Sequence, residues 1–231
     1  MILRLFKISS IVLLTSTGAW ANDIFITQSG DDLDLTIVQK GGDNTIKQYD
    51  YSSNIEGKNI IIVLDQEHSN TGTNGNNVIE YWHLDGDDGS VEVRQGSDNY
   101  NGAGVRSDST EYSGHHARVD YHGNGHSIRI GQRNPDDSPH SATVGIYGGN
   151  DSSVQITQGS SGSKSADVVV YNSDSNIDIL QHYTGDQSAS VTTYGSQPSN
   201  LSLEQQGSAS SYSLTQDCQT TGGCYATVTQ N

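Results

Sequence analysis

The sequence predicts an all-β chain, a β-solenoid of stacked strand-turn-strand units, and three observations predict it. The first is a repeat. Residues 142–147 run through a polar turn to 154–158, residues 166–171 to 177–181, and residues 189–194 to 201–205, and the three segments superpose almost without gaps. A looser copy runs from Ala117 through Val119 and Tyr121 to Ile128, Ile130 and Gln132. The opening alanines stand 25, 24 and 23 residues apart and the closing glutamines 26, 23 and 24. A fixed period of this size is the mark of a repeat architecture. A β-sandwich also has short alternating strands, but it does not predict identity at a fixed spacing.

The second observation is alternation within each copy. Val168 and Val170 share one strand face, and Asp167, Val169 and Tyr171 share the other, because successive side chains point to opposite sides. Ile177, Ile179 and Gln181 share the inward face of the next strand. Two short strands cannot bury that face alone, but stacking unit on unit at about 4.7–4.8 Å buries it continuously. The third observation is composition. Only 32% of the 231 residues are hydrophobic, too few to offset the ordering entropy of a thick globular core. A thin solenoid escapes that argument, and its turns use the abundant Gly, Ser, Asn and Asp.

Taken in order, residues 1–21 read as a secretory signal peptide. Arg4 and Lys7 are its basic start, Ile8 to Leu14 its apolar centre, and Ala19-Trp20-Ala21 a small-x-small cleavage site. The apolar centre is too short to span a membrane, and the mature chain would begin at Asn22. Residues 22–231 read as a single solenoid domain. Its first strand carries Ile24, Ile26 and Gln28. Leu33, Leu35 and Ile37 then lead to Gln39, and Ile46 to Gln48. The run from Ile60 to Leu64 is apolar on both faces, so it is either covered outside or a contact surface. Val91 and Val93 lead to Gln95. Residues 96–116 form an irregular insertion, after which the regular array runs to Gln216. Ala226, Val228 and Gln230 repeat the strand pattern once more.

The candidate functional residues follow from the stack. Gln132, Gln158, Gln181 and Gln205 would form an inward ladder of amides. Gln28, Gln39 and Gln216 close strands in the same way and are assigned to the same ladder. Tyr147, Tyr171 and Tyr194 would form an outer aromatic ladder, able to face a fibre, a cell surface or a sugar ring. Cys218 and Cys224 are the only cysteines, and in a secreted chain their spacing reads as a disulfide closing a small turn.

Other chemistries find little support. The formal charge is −16, and loss of Arg4 and Lys7 with the leader takes it to −18. That argues against nucleic acid and anionic membranes, and it opposes dense self-association unless salt or divalent cations screen it. The acidic turn from Asp85 to Ser90 has neither EF-hand nor nonapeptide calcium-repeat spacing and reads as a solvated hairpin. His115, His116, His122 and His126 lack the Cys or carboxylate partners that fix a tetrahedral metal site, so no metal or cofactor is expected. No catalytic motif occurs, and the reading is of a protein that is not an enzyme.

Gln28-Ser-Gly30, with Leu33, Leu35 and Gln39 behind it, resembles the curlin repeat, Gln-x-Gly-x-x-Asn-x-Ala-x-x-x-Gln. The window from Gln205 through Gly207 and Ser210 to Gln216 has the same spacing, and residues 39–44 carry its first half. Leu33 and Ser210 stand where the repeat has Asn. The resemblance implies a secreted bacterial subunit, closer to a minor or nucleator-like curlin, that stacks into curli: extracellular cell-surface amyloid fibres serving adhesion and biofilm matrix. Its partners would be further copies of itself or other curlin subunits, and surface or matrix polysaccharide. The alternative is a secreted β-solenoid adhesin that binds carbohydrate or a cell surface and does not polymerise.

Overall fold

The computed structural model describes residues 8–15, 28–40, 45–48, 55–67, 78–96, 116–133, 140–159, 162–182, 185–195, 199–218 and 224–231. Most of the 96–116 insertion, Ile24, Ile26 and His115 lie outside the described residues. Within them the chain is all β. The strands are β1 (Ile8–Thr15), β2 (Gln28–Ser29), β3 (Leu33–Lys40), β4 (Thr45–Gln48), β5 (Ile55–Lys58), β6 (Ile61–Glu67), β7 (Val78–Asp87) and β8 (Ser90–Gly96). They continue with β9 (Ala117–His122), β10 (Ser127–Arg133), β11 (His140–Gly159), β12 (Lys164–Gln181), β13 (Gln187–Gly195), β14 (Asn200–Gln205), β15 (Ser210–Cys218) and β16 (Tyr225–Gln230). No helix among the described residues is long and apolar enough to cross a membrane.

Every strand pairing is parallel, and each strand pairs with its counterpart in the next repeat, so the chain winds as a β-solenoid. Two columns result. The first stacks β1, β3, β6, β8, β10, the second halves of β11 and β12, then β14 and β16. The second stacks β4, β7, β9, the first halves of β11 and β12, then β13 and β15, with β2 and β5 paired onto the C-terminal part of β7. β11 and β12 each pass round the corner without a break and belong to both columns.

The core is the narrow space between the columns. The alternation read from sequence sets it: Val168, Val170, Ile177 and Ile179 are fully buried, while Tyr171 is exposed. In the run from Ile60 to Leu64, Ile60, Ile62 and Leu64 are buried and Ile61 is 44% exposed, so this strand keeps one apolar side chain on the surface.

The corners explain the glycines. Gly57, Gly86, Gly123 and Gly149 all have positive φ, which glycine adopts without steric cost. At each, a Cβ would run into the carbonyl oxygen of the glycine one layer earlier: Gly30, Gly57, Gly86 and Gly123 in turn. Two residues after several of these glycines stands a further left-handed residue: Asp32, Asn59, Asp88 and Asp151. Asp and Asn tolerate that conformation best among non-glycine residues. Their side chains also bridge layers, as where Asn59 donates to Asp32 at 3.0 Å.

The segment read as a leader is not apart from this fold. Ile8–Thr15 pairs in parallel with Leu33–Lys40, Ile8 opposite Leu33 and Thr15 opposite Lys40, and so extends the first column by one strand.

Candidate functional site

The first column carries a buried glutamine at the same register position in successive layers, because each strand ends on the inward side after two apolar residues. Gln95 donates to Gln66 at 3.0 Å. Gln132 donates to Gln95, Gln158 to Gln132, Gln181 to Gln158, Gln205 to Gln181 and Gln230 to Gln205, each at 2.8 Å. The donor sense never reverses: every Nε2 points toward the N-terminal layer and every Oε1 toward the C-terminal one.

The second hydrogen of each amide ties the columns together. Gln132 also donates to the Ser141 carbonyl at 2.6 Å, Gln158 to Ser165 at 2.7 Å, Gln181 to Ser188 at 2.8 Å and Gln205 to Ser211 at 2.9 Å. A primary amide is the one neutral side chain able to accept from one layer while donating twice. Full satisfaction is what makes such a buried row tolerable in a thin core.

The ladder thus includes Gln132, Gln158, Gln181 and Gln205, with Gln39 at its register position opposite Gln66. It also includes Gln66, Gln95 and Gln230, which the repeat did not single out. Their signal was the same apolar-x-apolar-x-Gln ending, hidden at Gln66 by the continuous apolar run before it. Gln28 and Gln216 belong elsewhere. Gln28 pairs in register with Ile55 and Gln216 with Thr193, so both stand in the second column. In sequence each also follows alternating apolar residues, Ile24 and Ile26 or Tyr212 and Leu214, so spacing alone does not separate the two columns.

Tyr147, Tyr171 and Tyr194 do stack on the outer face, with ring centroids 5.6 and 4.8 Å apart, and His122 extends the row at 4.9 Å from Tyr147. The rings lie nearly parallel along the stacking axis, so their faces are covered by one another and their edges are turned outward. Burial, with Asp120 next in weight, raises the Tyr147 pKa.

One layer holds a different arrangement. Tyr121 fills the position occupied by Ile146 in the following layer, and its hydroxyl reaches the place where a side chain on Gly89 would sit. His126 lies on it with ring centroids 3.7 Å apart. Burial lowers the His126 pKa from 6.5 to about 4 and raises that of Tyr121 to about 12. This histidine is therefore a neutral packing residue. Asp87, in the acidic turn, accepts from Asn124 and lies 3.5 Å from Lys58. Among the described residues no group of three or more His, Cys, Asp or Glu is placed to hold a metal ion.

The C-terminal end of the stack presents strand edges that have no partner among the described residues. Among the described residues β15 pairs only with β13, and β16 only with β14. Leu214 and Val228 there are only partly covered, and Tyr212 and Tyr225 are 50% and 65% exposed. Cys224, just before β16, is disulfide-bonded, and the chain's only other cysteine is Cys218. No family model, no curated protein and no solved structure matches this chain.

Proposed function

We propose that this chain is a secreted, curlin-like structural subunit that stacks end to end into extracellular cross-β fibres, serving adhesion and biofilm matrix. One observation carries the reading: a buried amide ladder of constant donor sense that runs to the C-terminal layer, where Gln230 has donated to Gln205 and strand β16 has no further partner among the described residues. Bare, regular edge strands are templates for pairing with another chain, and soluble proteins usually blunt them. A second copy laid on in the same sense would continue both backbone ladders, with its Gln39 at the register position that follows Gln230. No enzymatic step, metal or cofactor enters this mechanism. The −18 charge of the chain without its leader favours the alternative, a monomeric adhesin.

The test is made on purified residues 22–231 at neutral pH, with and without calcium, following thioflavin fluorescence and then fibre diffraction. Reflections near about 4.7 and 10 Å are expected from the two cross-β spacings. A chain that stays soluble, monomeric and β-rich in both conditions sinks the fibre reading and leaves the adhesin, to be pursued by a glycan-binding screen.

A further inference from the structure

The two ends of the solenoid match each other in register, and the leader strand lies across one of them. In the first column the glutamine position opens at Gln39 and closes at Gln230, through Gln205 and Gln181. One layer further out, in β1, the residue at that position is Leu14. In the second column Gln28 and Gln216 open and close a single register position. The residues between them at that position include Ile55, Leu84, Ile146 and Val170. Glutamine therefore stands at both extremities of a row that is mostly apolar within, and these two amides meet a like partner only where one molecule's last layer meets another's first.

We propose that the outer edge of β3 has two alternative occupants: strand Ile8–Thr15 of the same chain while the leader is present, and β16 of a second copy once it is gone, so that leader removal opens the growing end of the fibre. The proposal rests on the fibre reading above and adds to it a switch and a junction. The two occupants compete because each would pair in parallel along the same edge. β16 brings Ala226, Val228 and Gln230 to the positions facing Leu35, Ile37 and Gln39, and so continues the apolar rows and the amide row together. β1 brings Ser10, Val12 and Leu14, which covers the edge but ends the amide row. β1 covers the first column alone. That suffices to block growth, because an incoming copy must seat β15 and β16 as one rigid layer.

A leader strand of this kind also answers a physical difficulty. A solenoid with a bare edge at each end would polymerise wherever it folded, and a removable strand on one end confines growth to the processed chain.

The experiment compares thioflavin lag times of residues 1–231 and 22–231 at equal concentration, and of a 1–231 chain with a protease site after residue 21, before and after cleavage. The intact leader is expected to lengthen the lag at least about tenfold, roughly the effect of one lost buried contact on a rate, and cleavage is expected to restore it. In parallel, Gln28→Lys and Gln216→Glu are each expected to slow 22–231 by about tenfold. The chain carrying both substitutions is expected to recover, since the introduced lysine of one copy meets the introduced glutamate of the next. Melting curves check that each variant is folded, and the leader comparison needs no substitution. Fibres that form equally fast with the leader attached overturn the proposal while leaving the fibre reading intact, as does a double variant no faster than the slower single one. If 22–231 forms no fibres at all, the fibre reading falls and the proposal with it.

Discussion

Gln181 has no exposed surface, donates to Gln158 and to the Ser188 carbonyl, and accepts from Gln205. A glutamate there has the same shape and no donor. It would face two acceptor oxygens with a buried charge, so Gln181→Glu is expected to destabilise the fold by about 3 kcal/mol or more. Chemical denaturation measures this, and an unchanged midpoint would mean that the amide ladder does not hold the layers. Glycine gives a second contrast. Gly86→Ala would drive a Cβ into the Gly57 carbonyl at a φ of 152°, and is expected to cost about 3 kcal/mol from strain and collision together. At Gly30, with φ 133°, nothing among the described residues lies within 4 Å. Gly30→Ala is expected to cost the monomer about 1 kcal/mol in melting experiments and yet to block fibre growth, since an incoming layer would place a carbonyl there.

His126 sets a pH response at the same scale. Its folded pKa of about 4 lies below the unfolded 6.5, so between those values the unfolded chain takes up a proton that the folded chain refuses. Its contribution is fully present above pH 6.5 and is lost progressively as pH falls toward 4, a total of about 3 kcal/mol. Paired carboxylates weaken in the same direction, so the variant His126→Ser, with the residue found at this position in the next layers (Ser152, Ser175), isolates the effect. It is expected to show a flatter dependence of the denaturation midpoint on pH. Equal slopes would place the proton uptake elsewhere.

Among elements, the strands and their inward faces were legible because alternation reports burial directly: Val168 and Val170, Ile177 and Ile179 point where the pattern put them. The corners were not legible in the same way. A Gln-x-Gly window of identical spacing spans Gln28 to Gln39 and Gln205 to Gln216, but the first window crosses from the second column to the first and the second crosses back. Spacing fixes how far apart two strand ends are and not which column each belongs to, so Gln28 and Gln216 were read into the wrong row. Nor does composition distinguish the apolar centre of a leader from a strand able to pair with β3. The outer tyrosine row belongs to this scale as well. Tyr171 stacks on both Tyr147 and Tyr194, whereas Tyr194 is followed in register by Asp217. Tyr171→Ala is expected to cost about 2 kcal/mol and Tyr194→Ala about half of that, at about 1 kcal/mol per stacked pair. Equal losses in melting experiments would mean that the rings contribute singly and not as a ladder.

For the whole molecule the opposing terms are edge pairing and charge. Each added copy brings −18 without the leader; among the described residues its cations include Lys58, 3.5 Å from Asp87, Arg94, 2.7 Å from Glu92, and Arg118, 3.0 Å from Asp120, which the acidic residues outnumber. The backbone and amide ladders act only at contact, while the repulsion reaches over a Debye length, about 30 Å at 0.01 M salt and about 8 Å at 0.15 M. At low salt an approaching copy is repelled by the whole acidic surface before any strand pairs. At 0.15 M it is repelled only by the last layers. Fibre growth of residues 22–231 is therefore expected to accelerate steeply between these two concentrations and to level off above them, once the screening length falls below the depth of a few layers. The stability of the single molecule should change far less, because its charges are held at fixed separations within one chain and several are already paired along its strands. Seeded elongation rates against salt, set beside melting temperatures of the unseeded chain, separate the two. Growth that slows with added salt would mean that attraction between charges, and not edge pairing against repulsion, brings the copies together.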